Sequence, residues 1–257
     1  MTQGNGMKEG VSPPTPQTQG RRKRFWALAA ARPAEGGFSV ELDGRGIRLP
    51  GGTPLCVTSR ALAGAIADEW AHAGGEKGGD FTPDDLPLTR IAGTMIERVA
   101  PDPAAQVSAL LHYVDGELLC YRADYPALLC ARQKAEWDPQ LAWLHARYGI
   151  DMAVTQGIMP LSQSQAVHVA WRSILEKTDN PTLAALGVMV PAMKSIVLGL
   201  AVVTGALSAA KAAEIASVDE RTQMEIWGRD DRQEESLRLA AVEVTDASRF
   251  LRLCHMA

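Results

Sequence analysis

The stretch FSVELDGRGIRLPGGTPLCVTSRALAGAIADEW, residues 38–70, contains the change of hydrophobic period that decides the class of fold. Its first part alternates, with Phe38, Val40 and Leu42 on one face. Asp-Gly follows at 43–44, and this dipeptide favours the positive φ angles of a tight hairpin turn. Ile47 and Leu49 continue the alternation after the turn. We therefore predict a β-hairpin here.

The second part of the same stretch changes to a helical period. Pro54 to Thr58 is a further extended piece, and Ser59 is suited to cap a helix N-terminus. Apolar residues then repeat every four positions as far as the Gly-Gly pair at 74–75. The sequence thus predicts a strand-rich start joined to a helix.

Beyond about residue 89 strand patterns almost disappear and helical periods dominate. The segment 163–177 shows this most clearly, because Val167, Trp171 and Ile174 fall on one face of a helix. We also expect Asp138 to cap a helix that has Pro139 at its first position. The predicted helices are Arg90–Val99, Ala104–Leu111, Pro126–Glu136, Pro139–Tyr148, Gln163–Lys177, Thr182–Leu207 with a break at Pro191, Ser208–Trp227, and Glu234 to about Val242.

These periods predict an α+β protein with two domains. A small, strand-rich α/β domain occupies residues 21–89, and a larger, mainly helical orthogonal bundle occupies 90–257. Residues 1–20 are rich in Gly, Pro, Thr and Gln and have almost nothing to bury. We therefore predict a disordered tail over 1–20.

Composition argues against several classes of function. A formal net charge of -4 provides no basic footprint for nucleic acid, so no nucleic-acid partner is expected. The most apolar segment, Ile196–Leu207, is about half as long as a membrane span, so we predict a buried core helix and no membrane insertion. Neither a secretory signal nor a transit peptide fits the N-terminus, which favours a cytoplasmic location.

Motifs for catalysis are missing from the sequence. It contains no Gly-x-Ser-x-Gly, His-Glu-x-x-His or Gly-x-Gly-x-x-Gly, and GGEKGGD at 74–80 lacks the spacing of a phosphate-binding loop. The four cysteines and five histidines are scattered without metal-ligand spacing. We expect no catalytic residue, no metal and no cofactor.

One helical segment places an acid beside apolar side chains. Glu220, Met224 and Trp227 fall at i, i+4 and i+7, while Asp219 and Gln223 share a neighbouring face. Exposed patches with Met and aromatic anchors are typical of protein-binding surfaces. A solvated Glu at the rim of a core-facing stripe explains the spacing equally well.

Four stretches together resemble one family. They are LDGRGIRLPGGTPLCVTSRALAGAIADEW at 42–70, LPLTRIAGTMIERV at 86–99, ELLCYRADYPALLCARQKAEWDP at 117–139 and DERTQMEIWGRD at 219–230. In order and spacing they resemble the assembly chaperones for the alpha subunit of the catalytic head of F-type ATP synthase, found in mitochondria and alphaproteobacteria. The sequence departs from the family at Gly46, at Thr58 and in the degenerate acidic tract after Trp227.

The resemblance implies an N-terminal α/β layer, a helical bundle, no catalysis and the ATP synthase alpha subunit as partner. By position, the family's important acidic residue falls on Glu220, with Asp219 as the neighbouring candidate. We expect a monomer in the bacterial cytoplasm, or in the mitochondrial matrix of a eukaryote. The expected partner-binding residues are Glu220, Asp219, Gln223, Met224 and Trp227.

Two other functions remain open from the sequence. A helical enzyme or small-molecule binder could use a site at the domain junction, and a generic adaptor could dock through the basic run 21–24. The enzyme or small-molecule binder predicts a deep pocket with converging polar groups, whereas the adaptor predicts binding to acidic surfaces that collapses with salt. The junction residues are Arg90, Tyr121, Arg122 and Trp137.

Overall fold

The computed structural model describes residues 20–157 and 160–256 of the chain. The tail predicted over 1–20 therefore lies outside the described residues, apart from Gly20. Within these ranges the fold is α+β, with short strands near the N-terminus and helices through most of the remainder.

The predicted hairpin is present in a four-stranded antiparallel sheet. Asp43 and Gly44 adopt φ angles of 49° and 79°, and Leu42 pairs with Arg45 across the turn. Positive φ at both central residues matches the right-handed twist of the flanking strands. The strands of this sheet are β2 (Ala29–Ala34), β3 (Gly37–Leu42), β4 (Arg45–Gly46) and β5 (Cys56–Val57), and β3 pairs with the other three; two smaller ladders join β1 (Arg22–Lys23) to β6 (Asp80–Phe81) and β7 (Tyr121–Arg122) to β8 (Thr155–Gln156).

Ten α-helices complete the described part of the chain. The first begins after Ser59, whose hydroxyl accepts from the Leu62 N–H as predicted for an N-cap. Short 3-10 helices occur at Pro83–Asp85 and Leu118–Cys120, and a π-helical turn at Met95–Val99 follows α2. The α-helices are α1 (Arg60–His72), α2 (Pro87–Thr94), α3 (Pro103–Leu111), α4 (Ala127–Tyr148), α5 (Gln165–Leu175), α6 (Asn180–Met193), α7 (Ile196–Val203), α8 (Ala209–Ala216), α9 (Val218–Trp227) and α10 (Asp231–Cys254).

An aromatic cluster anchors the sheet to α1. Trp26, Trp70 and Phe81 are buried and meet edge to face, with ring centroids 5.0 to 5.8 Å apart. Arg24 is also buried and donates to the carbonyls of Ala71 and Gly75 at 2.7 and 2.6 Å. The last arginine of the basic run 21–24 therefore satisfies the C-terminal end of α1, whereas Arg21, Arg22 and Lys23 are exposed.

Two predicted helix boundaries around α4 were wrong. The chain is helical without interruption from Ala127 to Tyr148, with Pro139 inside the helix. Pro139 removes one hydrogen bond but does not end the helix, because tertiary packing compensates. Asp138 is therefore not an N-cap, and its carboxylate pairs with the Arg122 guanidinium at 2.8 Å.

Three later predictions of helix boundaries also need correction. The predicted break at Pro191 occurs instead at Lys194, which has a φ of 53°, and at Ser195, which caps α7. The predicted helix 208–227 is divided at Ser217 into α8 and α9. The last helix continues to Cys254, because residues such as Phe250 pack into the core.

The apolar helix α7 lies in the core, as predicted. Every residue from Ile196 to Val202 is buried. In the described ranges, no helix combines the length and the hydrophobicity that crossing a bilayer demands.

The C-terminal helix connects the two predicted domains. α10 packs against α1, α2 and α6. The Ser59 hydroxyl donates to the Leu253 carbonyl at 2.6 Å. The proposed boundary between 89 and 90 lies inside α2, and the division into 21–89 and 90–257 stays a prediction.

A buried carboxylate holds the start of α7. Glu117 is fully buried and accepts hydrogen bonds from the Ser195 hydroxyl at 2.6 Å and from the N–H groups of Ile196 and Val197 at 2.8 and 3.2 Å. It also accepts from the Leu119 N–H. One side chain thus satisfies the free donors at a helix N-terminus and joins that helix to the segment before β7.

We predict that Glu117→Gln lowers the free energy of unfolding by about 1–3 kcal/mol, because the amide nitrogen cannot accept from the buried donors. Equilibrium urea unfolding of the variant and the wild type measures this difference. An unchanged midpoint and slope would show that the buried carboxylate adds nothing to stability.

A second prediction concerns pH. Burial, which outweighs the four hydrogen bonds, raises the pKa of Glu117 from 4.5 to about 7. The folded protein keeps a proton that the unfolded chain releases, so the free energy of unfolding should fall as pH rises from about 4.5 to about 7. Glu117→Gln replaces the titrating carboxyl group with an amide that does not titrate. The urea midpoints of this variant should therefore vary less than those of the wild type over this range of pH. Equal slopes for both proteins contradict the prediction.

Candidate functional site

Helix α9 presents an exposed apolar surface at its C-terminal end. The Trp227 side chain is 67% exposed, a high value for the largest apolar side chain, and Ile226 beside it is 40% exposed. Met224 is half-buried and Gln223 is exposed. α9 ends immediately afterwards at Gly228, whose φ is 105°. The aromatic anchor therefore lies at a corner of the bundle, where a partner can reach it.

Glu220 lies about two helical turns before Trp227 and lines a small cleft that is partly polar and partly apolar. Its carboxylate is 3.6 Å from the Lys194 ammonium at the αL end of α6. The carboxylate side chain is 23% exposed and the lysine side chain 69%. A cavity of about 80 Å³ adjoins this pair, between α6, α9 and α10. The lysine end of the pair is exposed and the carboxylate is half-buried, so the pair is accessible to solvent from one side.

Asp219, the neighbouring candidate, faces inward. Its carboxylate accepts from the amide nitrogen of the buried Gln133 at 2.8 Å. Burial is the main reason that the pKa of Asp219 is raised, and the nearby Glu220 charge raises it further. The structure thus separates two adjacent acids, since Glu220 borders the surface while Asp219 holds α9 against α4.

The division at Ser217 also changes which residues share a face. In one continuous helix, Ile215 would lie on the same face as Asp219 and Ile226. Because α8 and α9 are separate helices, it does not. Ile215 is buried instead, and its carbonyl accepts from the Trp137 indole at 2.9 Å.

Helices α4 and α9 run antiparallel, which brings further apolar residues to the same end. Trp137 donates to the Ile215 carbonyl just before α9, Gln133 donates to Asp219, and Arg132 lies 2.6 Å from Glu225. Lower numbers in α4 therefore meet higher numbers along the segment 215–225. Two exposed apolar residues lie at the N-terminal end of α4, one just before the helix and one in its first turn. They are Tyr125, 77% exposed, and Leu128, 43% exposed.

Sequence reasoning missed these two residues. Nothing in the spacing of Tyr125 and Leu128 marks them, because only the packing of α4 on α9 assigns the start of α4 and the end of α9 to one end of the helix pair. We call Tyr125, Leu128, Met224, Ile226 and Trp227 the apolar corner.

The alternative site at the domain junction is not assembled as one pocket. The Arg122 guanidinium lies 5.3 Å from the Trp137 ring and is held by the Leu119 carbonyl and by Asp138. The Tyr121 hydroxyl donates to the Asp115 carbonyl. Arg90 instead pairs with Asp84 and lines a different groove, to which the other three do not contribute. Packing and hydrogen bonding hold these residues in place, except that one buried guanidinium nitrogen of Arg122 has no hydrogen-bond partner among the described residues.

In the ranges that the structure describes, no three His, Cys, Asp or Glu side chains come together in a way that could hold a metal ion. The candidate surface consists of apolar side chains and one ion pair, a composition that suits recognition of another protein.

Comparisons with known proteins agree with a surface that recognises another protein. A family profile described as ATP12 chaperone protein matches residues 23–145. The crystal structure of Atp12 from Paracoccus denitrificans superposes with a TM-score of 0.82 at 36% identity, covering 91% of this chain and 98% of that one. A protein from Agrobacterium tumefaciens superposes with a TM-score of 0.81 at 33% identity, covering 90% of this chain and 86% of that one.

A curated relative extends the similarity to a eukaryote. Protein atp12, mitochondrial, of Schizosaccharomyces pombe is 26% identical over 229 residues, which span 85% of this chain and 77% of that protein. Fold and sequence together define a chaperone. The chain belongs to the ATP12 chaperone family.

We predict different effects for the two adjacent acids. Asp219→Ala should lower the free energy of unfolding by about 1–3 kcal/mol, because the buried Gln133 amide loses its acceptor. Glu220→Ala should change it by less than about 0.5 kcal/mol, because its pair with Lys194 is solvent-accessible. Urea unfolding of both variants tests this assignment. Equal destabilisation would show that Glu220 is also a structural residue.

Proposed function

We propose that this protein is a non-catalytic assembly chaperone that binds the free alpha subunit of F-type ATP synthase and prevents its aggregation until it pairs with beta. Membership of the ATP12 chaperone family and the sequence resemblance described above support the choice of partner. The single structural observation that supports the mechanism is the exposure of Trp227 at the apolar corner.

The apolar corner provides the affinity in this proposal. An unassembled subunit exposes apolar surface intended for its neighbour, and such surfaces associate with one another. Covering a large apolar side chain contributes about 1.5–3 kcal/mol, and Trp and Tyr are enriched among the residues that dominate binding. Trp227 and Tyr125 are the main anchors, with Leu128, Ile226 and Met224 beside them.

The ion pair provides specificity. Glu220 can leave Lys194 and accept hydrogen bonds from a polar group on the alpha subunit, imitating a contact of the final neighbour. Gln223 is exposed one turn along and can donate or accept at the same surface. Asp219 acts indirectly, by fixing the orientation of α9 through Gln133.

Release requires no nucleotide in this proposal. The beta subunit displaces the chaperone if the interface between alpha and beta is larger and better packed than the one it replaces. The protein acts as a monomer and without a cofactor. Its location is the bacterial cytoplasm, or the mitochondrial matrix if the source is a eukaryote.

We predict that Trp227→Ala and Glu220→Ala each reduce the ability of the protein to keep free alpha subunit in solution. The loss for Trp227→Ala should correspond to at least about tenfold weaker binding, because a central aromatic anchor is removed. Light scattering of refolding alpha subunit at graded chaperone concentrations measures the effect.

Phe25→Ala is the matched control, because Phe25 is also an aromatic side chain with 67% exposure but lies near the N-terminal sheet. Circular dichroism must show that all three variants are folded. If folded Trp227→Ala and Glu220→Ala protect the alpha subunit as well as the wild type does, the site is wrong. If the wild type gives no protection, the partner is wrong.

A further inference from the structure

A second surface, which shares no residue with the apolar corner, lies between the hairpin and α2. It is a groove of about 480 Å³ whose walls are mainly apolar. Leu86, Gly93 and Thr94 line the α2 side, and Ile47 and Leu49 line the hairpin side. The two walls approach closely at Gly93, where an added Cβ would lie 3.0 Å from a Leu49 methyl group.

The floor of the groove is rigid. Trp70 and Phe81 form part of it and belong to the buried aromatic cluster. The Trp70 indole donates to the Thr89 hydroxyl at 3.0 Å, and that hydroxyl donates to the Glu69 carboxylate at 3.0 Å. A preorganised floor reduces the entropic cost of binding.

Four arginines surround this groove, although the whole chain has a formal net charge of -4. Arg22, Arg48, Arg90 and Arg98 are all exposed. Within the described residues, neither Arg22 nor Arg98 has a carboxylate within ion-pair distance, and Arg48 donates only to the Gly52 carbonyl. Arg90 pairs with Asp84, but both side chains are solvent-accessible and can exchange partners.

One carboxylate, that of Glu97, also lines the groove, but its oxygens already accept hydrogen bonds from the backbone. Glu97 accepts from the N–H groups of Gly51 and Thr53 at 3.1 and 3.3 Å, which fixes the loop after β4. The groove therefore presents apolar walls and unsatisfied positive charge. Its chemical complement is a segment that carries both apolar and acidic side chains.

The dimensions fit an extended peptide. Leu86 and Glu97 are eleven residues apart, so the groove follows about 17 Å of helix axis. An extended chain rises about 3.3 Å per residue, so roughly five residues fit along it. Arg90 and Arg98 are separated by about 12 Å along the axis, close to the distance of about 13 Å between residues i and i+4 of a strand.

We propose that this groove binds an extended acidic segment of a protein partner, with the pattern acid-x-apolar-x-acid. Residues i, i+2 and i+4 of a strand point to one face, so both carboxylates reach Arg90 and Arg98 while the central apolar side chain enters the groove. The proposal goes beyond the chaperone function, because it assigns a second binding surface that works independently of the apolar corner.

The test uses the full chain and fluorescein-labelled eight-residue peptides that contain Glu-Ser-Leu-Ser-Glu or, as matched control, Gln-Ser-Leu-Ser-Gln. Fluorescence anisotropy at low ionic strength should show at least about tenfold tighter binding of the acidic peptide, and this preference should shrink at high salt. Equal affinities for the two peptides, or no binding of either, overturn the proposal.

Two sets of variants locate the peptide. Arg90→Gln combined with Arg98→Gln should weaken binding of the acidic peptide about tenfold, whereas Arg172→Gln on α5, outside the groove, should leave it unchanged. Thr94→Trp, a change at an exposed position, should block the groove while the arginines remain. If neither change weakens binding in folded protein, the peptide binds elsewhere and the proposal is wrong.

Decanoate distinguishes a lipid site from a peptide site. If decanoate binds and is blocked by Thr94→Trp while neither peptide binds, the groove holds a fatty acyl chain and the proposal is overturned. The peptide measurement requires no alpha subunit, so this inference and the proposed function can fail separately.

Discussion

The hydrogen bond between Gln133 and Asp219 is the interaction on which the candidate surface depends. Gln133 is buried in the second turn of α4, and its amide oxygen also accepts from the Ala123 N–H at 2.8 Å. Since a buried amide left without partners costs free energy, this side chain holds α9 in one position. The indole of Trp137 fixes the end of α8 in the same way. Glu220 and Trp227 face outward because their helix is held from behind by polar contacts.

One segment of the chain contributes both to the stability of the fold and to the candidate surface. The segment 117–137 supplies the buried groups, with Glu117 capping α7, Arg122 stacking on Trp137 and Gln133 holding α9. The same segment supplies Tyr125 and Leu128 to the surface. A rigid helix pair that presents exposed aromatic side chains loses little entropy on binding, which suits recognition of another protein.

The two surfaces differ in chemistry. The apolar corner offers aromatic and aliphatic side chains beside one acid, whereas the groove along α2 offers apolar walls surrounded by arginines. If both surfaces engage one partner, the two linked contacts raise the effective affinity beyond that of either alone. α10, which packs against α1, α2 and α8, is the element that connects the regions carrying them.

The sequence alone determined the local structure where the chain has strong short-range preferences. The Asp43-Gly44 turn, the Ser59 cap and the buried α7 were predicted because turn φ angles, capping and hydrophobicity are encoded within a few residues. The tertiary structure decided the rest, including the continuity of α4 through Pro139, the division at Ser217 and the opposite orientations of Asp219 and Glu220. The physical reason is that these features depend on which surfaces meet across the fold, and pairings between helices far apart in sequence leave no periodic trace in it.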